Sequence, residues 1–77
     1  MKQWDGLDDA ILGQASVWNG NERVEVLVYD ADLMIKVFVD RDGMSEEEAN
    51  EYILFNIEGA YIGKDTPVLV WQRYDEL

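Results

Sequence analysis

The stretch Asp30-Ala31-Asp32-Leu33-Met34-Ile35-Lys36-Val37-Phe38-Val39-Asp40-Arg41-Asp42-Gly43 decides the fold. Its centre, Leu33 to Val39, is rich in the β-branched and aromatic residues that suit a strand. Its ends are those of a helix. Asp30 is placed to accept backbone hydrogen bonds as an N-cap, and Asp32 in the first turn opposes the positive end of the helix dipole. Asp42-Gly43 supplies a stop. The caps outweigh the propensity, and the stretch predicts a helix from about Ala31 to Arg41.

On the N-terminal side lie two β-rich runs. Ala10 to Trp18 is small and apolar, and Arg23 to Tyr29 alternates Val24, Val26 and Val28 with Glu25, Leu27 and Tyr29. Asn19-Gly20-Asn21 between them tolerates positive φ and predicts a hairpin. On the C-terminal side, Ser45 followed three residues later by Glu48 forms a capping box, with Glu46 and Glu47 in the same first turn. A second helix is expected from Glu46 to about Glu58. Its buried stripe is Ala49, Tyr52, Ile53, Asn56 and Ile57, and Glu47, Glu51 and Glu58 fall on the other side. After Gly59 and Gly63, the turn Lys64-Asp65-Thr66-Pro67 leads into a short strand, Val68 to Trp71. The expectation is an α+β fold in the order ββααβ. Its two layers are a three- to four-stranded antiparallel sheet and two helices on one sheet face.

Residues 1–77 are read as a single domain near the lower size limit for folding unaided, where roughly 60% of the unfolded surface is buried. A hydrophobic fraction of 48% is enough for a two-layer core. The chain has no cysteine and no histidine, which removes disulfides, the usual zinc ligands, a thiol nucleophile and an imidazole base. No apolar run approaches the roughly 20 residues that span a bilayer, and the first residues carry no apolar signal core. A cytoplasmic, membrane-free protein is expected.

Six basic side chains against seventeen acidic ones give a formal net charge of -11. Such a surface repels nucleic acid and anionic lipid and steers toward basic partners. Neither of the usual carboxylate chemistries fits. Asp40, Asp42 and Glu51 match positions one, three and twelve of a calcium loop, but Met44 occupies position five and Ser45 replaces the glycine of position six. A glycosidase pair needs two carboxylates about 5 to 9.5 Å apart in a cleft larger than a chain this short forms. The six glycines make no phosphate-binding loop. No cofactor, no metal and no enzymatic activity are expected. Without a basic groove the aromatic residues cannot serve a nucleic acid directly. Trp18 and Trp71 are expected in core or rim packing, with Trp4 and Tyr74 available as contact anchors.

What remains is charge fixed on a folded frame. Carboxylates held at suitable spacing can occupy a channel of Lys and Arg built for phosphates. The residues expected to do so are Asp40, Asp42, Glu46, Glu47, Glu51 and Glu58. An acidic face kept only for solubility is the competing reading. An adaptor that binds a protein through Trp4 and Tyr74 is the alternative from another class. An exposed sheet face or edge strand leaves monomer and weak homodimer both open.

The runs Trp4 to Gly13, Arg41 to Ala49 and Phe55 to Gly63, followed by Thr66-Pro67, resemble a family of short bacteriophage and prophage proteins. Within that group the chain is similar to small anti-CRISPR inhibitors of type I, I-C-like systems, and the similarity covers almost its whole length. The resemblance implies stoichiometric inhibition in the host cytoplasm. The partner it implies is a Cas protein of the crRNA-guided surveillance complex, covered at the basic surface that admits target DNA. It carries no motif of functional residues, so the site residues rest on charge and exposure.

Overall fold

The hairpin closes at Gly20-Asn21, where Gly20 takes φ +64°; among the described residues only glycines have positive φ. A two-residue loop with positive φ only at its first position has the pattern of a type II′ turn, whose twist matches that of the flanking strands. In the computed structural model, which describes residues 1–72, this loop joins β1 (Ile11–Asn19) to β2 (Glu22–Asp30). A single 3-10 turn, Asp8–Ala10, precedes β1. Then follow α1 (Ala31–Asp42), α2 (Glu46–Tyr52), a π-helical extension of α2 (Ile53–Glu58) and β3 (Val68–Val70). The fold is α+β in the expected order ββααβ.

The sheet order is β1-β2-β3, and here one expectation fails: β1 and β2 are antiparallel, but β2 and β3 are parallel, with Val28 opposite Val68 and Asp30 opposite Val70. The sheet is therefore mixed. The reason lies in the segment between Gly59 and Pro67. Glu58 accepts from Trp71 Nε1 at 3.0 Å, which places the end of the helical layer beside the end of β3. Lys64 pairs with Glu22 at 2.8 Å, at the hairpin end of β2. The connection thus travels the length of the sheet before β3 begins, so β3 runs in the same direction as β2. Among the described residues there is no fourth strand.

α1 is set by the caps that the sequence placed there. Asp30 Oδ1 accepts from the N–H groups of Asp32 (2.8 Å) and Leu33 (3.2 Å). Gly43 closes the far end at φ +69°, where a side chain would be strained, and its N–H donates to the Phe38 carbonyl. The capping box of α2 is reciprocal: Glu48 N–H donates to Ser45 Oγ (3.1 Å) and Ser45 N–H to Glu48 Oε1 (3.0 Å).

Leu27 and Tyr29 on one face of β2 pack against Met34 and Phe38 of α1 and against Ala49, Ile53 and Ile57. Leu7 and Ala10 close this core from the N-terminal side. Ala49, Ile53 and Ile57 are four residues apart, and the π-helical turn, wider than an α turn, brings that spacing onto one line. Asn56, expected in the same stripe, is exposed, and Tyr52 lies at its edge, partly exposed with its ring edge-on to Phe38 at 5.3 Å. The opposite face of the sheet carries Val24, Val26 and Val28, with Val17, Ala15 and Gly13 across from them on β1. None of these joins the core cluster.

A bulge between Ile11 and Gly13 separates the two ends of β1. Beyond it Gln14, Ser16 and Trp18 share the face of Leu27 but are exposed, because the helices cover only the end of the sheet near the β2–α1 junction. Trp18, expected in core or rim packing, is 70% exposed. Trp71 does pack against the core, and so does Trp4, whose ring lies 4.8 Å from that of Tyr29. Trp4 N–H also donates to the Tyr29 hydroxyl at 3.0 Å, so this residue is part of the frame and not a free anchor. Tyr74 lies outside the described residues.

Candidate functional site

The short turn Gly43 to Ser45 sets α2 against α1. Asp32 and Ile35 of α1 and Glu46, Glu47 and Asn50 of α2 line one shallow groove on the outer surface of the helical layer. Both helix starts gather carboxylates for the same local reason, their attraction to unpaired N–H groups and the helix dipole. Packing then adds the two sets together. Glu51 sits one turn beyond Glu47 but lines a separate groove, with Met44, Glu48, Tyr52, Phe55 and Asn56.

The other expected site residues are elsewhere. Asp40 is exposed at the far end of α1, in a groove with Lys36, Val37 and Arg41. Asp42 is held in a two-pronged contact by its neighbour, Arg41 Nε to Oδ1 and Nη2 to Oδ2, each at 2.9 Å. Those hydrogen bonds hold the Asp42 carboxyl below its ordinary pKa and raise that of Arg41. Arg41 Nη1 also donates to the Gly6 carbonyl at 2.6 Å, tying the N-terminal segment to α1. Glu58 accepts from the Trp71 indole and belongs to the seam between the helices and β3. Of the six residues, Glu46 and Glu47 share a groove, and Glu51, one turn on, lines another. Asp40, Asp42 and Glu58 lie apart, and the last two are engaged within the chain.

Cations do little to offset the helical face. Among the described residues, ion pairs join Lys2 and the N-terminal amine to Asp65, Arg41 to Asp42, and Lys64 to Glu22. None reaches Asp40, Glu46, Glu47 or Glu51. The partial calcium-loop match is taken up by structure: Asp40 and Asp42 end α1, Gly43 caps it, and Glu51 is inside α2. Among the described residues no three carboxylates are grouped closely enough to hold a metal ion. No helix there is long and apolar enough to cross a membrane.

Two features escaped the sequence reading. Asp32 was legible as a capping charge, but its place beside Glu46 and Glu47 is a product of helix packing. Phe55 is 81% exposed: two residues from both Ile53 and Ile57, it stands on the side of the helix away from the core. No protein-family model matches the chain, and no curated protein or solved structure resembles it at a significant level.

Proposed function

We propose that this chain is a phage-encoded, non-catalytic inhibitor that imitates the DNA backbone. On this reading it binds the basic DNA-recognition surface of a type I, I-C-like, CRISPR surveillance complex in the host cytoplasm. The observation that carries it is the helical face where Asp32, Glu46 and Glu47 share a groove, Glu51 stands one turn beyond Glu47, and no described cation pairs with these glutamates. Carboxylates fixed on two capped helices lose little freedom on meeting a lysine- and arginine-lined channel, and the counterions that channel had attracted are released. The identity of the partner rests on the family resemblance.

The test is competition with target DNA on a purified type I-C surveillance complex. Wild type should block DNA binding. The variant Asp40→Asn/Glu46→Gln/Glu47→Gln/Glu51→Gln should bind more weakly. At about 0.5 kcal/mol for each exposed charge the loss is about 2 kcal/mol, or roughly 30-fold. Full potency in that variant, folded by circular dichroism, would sink the proposal.

A second reading is favoured by the exposure of Phe55 and its neighbour Tyr52 on the same helical layer. These are suited to anchor an adaptor to a protein partner, with the acidity serving solubility. Salt separates the two. The backbone mimic should lose affinity steeply as ionic strength rises, whereas an aromatic-anchored contact should hardly change and should fail on Phe55→Ala.

A further inference from the structure

We propose that β1 is a homodimerisation edge: two copies pair β1 to β1, antiparallel about a two-fold axis at Ala15, and extend the three-stranded sheet to six strands. β1 lies at the end of the sheet order, so its outer N–H and C=O groups have no partner strand among the described residues. Such an edge is a template for another chain, and proteins usually guard it with lysine, proline, an inward charge or a bulge. β1 contains no charged residue and no proline, and its one bulge lies near its start, between Ile11 and Gly13. Gln14 to Asn19 is regular and open.

Charge selects the occupant. Two copies with a net charge of -11 each repel one another over most of their surface. The run from Ala10 to Asn21 is the longest stretch of the chain without a charged residue. The carboxylates behind it on β2 are engaged: Glu25 accepts from Ser16 Oγ at 2.6 Å and Glu22 pairs with Lys64 at 2.8 Å. Arg23 stands opposite Trp18. The edge is therefore where another acidic copy meets least repulsion. A nucleic-acid strand or a basic segment would find no charge there to hold it.

The pattern along the strand sets the register. The exposed large apolar residues of β1 are Leu12, at 53%, and Trp18, at 70%. An axis at Ala15 sets Leu12 of one copy opposite Trp18 of the other at each end, Gln14 opposite Ser16, and Gly13 opposite Val17. Moving the axis to Gln14 sets Leu12 opposite Ser16 and Trp18 opposite Ala10, and moving it to Ser16 sets Leu12 opposite Gly20 and Trp18 opposite Gln14, so of these three only the axis at Ala15 joins the two large apolar residues. A symmetric pair of this kind uses the same patch twice, as closed dimers do.

Sedimentation equilibrium across roughly 1 μM to 1 mM protein should follow a monomer–dimer equilibrium. Trp18→Glu changes a residue already in solvent, so the monomer should stay folded while dimerisation weakens at least about tenfold. Phe55→Glu, the same kind of change on the helical layer, should leave dimerisation unaltered. Because the chain has no cysteine, Ala15→Cys introduces a single thiol that meets itself at the axis. Under oxidation it should form a disulfide dimer much faster than Lys36→Cys on α1. The proposal is overturned by a monomer throughout the range, by a dimer that survives Trp18→Glu or is lost in Phe55→Glu, or by cross-linking at position 15 no faster than at 36. None of these outcomes depends on binding to a CRISPR complex, so the two proposals stand or fall separately.

Discussion

Asp30 is the residue on which strand, helix and C-terminal segment converge. It is 2% exposed, the one buried charged side chain among the described residues. Its Oδ1 accepts from the second and third N–H groups of α1, and its Oδ2 accepts from the Gln72 side-chain amide. The next carboxylate, Asp32, accepts from Gln72 N–H at 3.0 Å. A carboxylate this deeply placed is tolerated because each oxygen has donors; one left unpaired would cost several kcal/mol. Asp30→Ala should destabilise the fold by about 1–2 kcal/mol from the cap alone, read as a lower urea midpoint. Asp30→Asn should cost less, because the amide oxygen can still accept from Asp32 and Leu33. Equal loss in the two variants would mean that charge, not capping geometry, is what the position supplies.

Helix ends were the part of the molecule most open to reading from sequence, because a cap is a local bargain among four or five neighbouring residues. Asp30, Gly43 and the Ser45–Glu48 box all stand where the sequence put them, and so does the Gly20 hairpin. The direction of β3 was not legible, since it depends on how far the Gly59–Pro67 connection travels and not on what β3 contains. The exposure of Asn56 was hidden for a related reason: the π turn that sets Ala49, Ile53 and Ile57 on one line depends on packing. The exposure of Asp40, Glu46, Glu47 and Glu51 could be read from helix spacing, whereas the contacts of Asp42 with Arg41 and of Glu58 with Trp71 depend on tertiary placement. The capping box also carries a pH signature. The hydrogen bond from the Ser45 backbone, then that from its side chain, hold the Glu48 carboxyl below its ordinary value. A carboxyl whose folded pKa is depressed contributes stability above its unfolded value and loses that contribution as pH falls through the folded one. Glu48→Gln keeps an acceptor for Ser45 N–H but cannot titrate. Wild type should exceed this variant in urea midpoint at pH 7, and the gap should close below the ordinary glutamate range near pH 4. A gap that persists at pH 2–3 would assign the effect to shape.

Over residues 1–72, fifteen acidic groups and five basic ones lie within extents of 41 × 30 × 21 Å. At about 0.01 M salt the Debye length is about 30 Å, so nearly every carboxylate feels every other; at about 1 M it is about 3 Å, and only touching charges interact. Folding concentrates that charge, so the folded state bears the larger repulsion, whereas the few ion pairs, all at the surface, lose little when screened. Stability should therefore rise with sodium chloride over this range, seen as an increasing urea midpoint at protein concentrations where the chain is monomeric. Chloride is the suitable anion, because sulfate strengthens apolar burial by itself and would mask the screening. The variant neutralised at Asp40, Glu46, Glu47 and Glu51 should start higher at low salt and climb less. Binding to a basic partner should move in the opposite direction, weakening over the same salt range as folding strengthens. Opposed slopes from one set of carboxylates are what a surface strained by its own charge and relieved by a cationic receptor must give. A midpoint that is flat or falls with salt would mean that the acidic groups are too dispersed to make a common field, and the backbone-mimic reading would lose its physical basis.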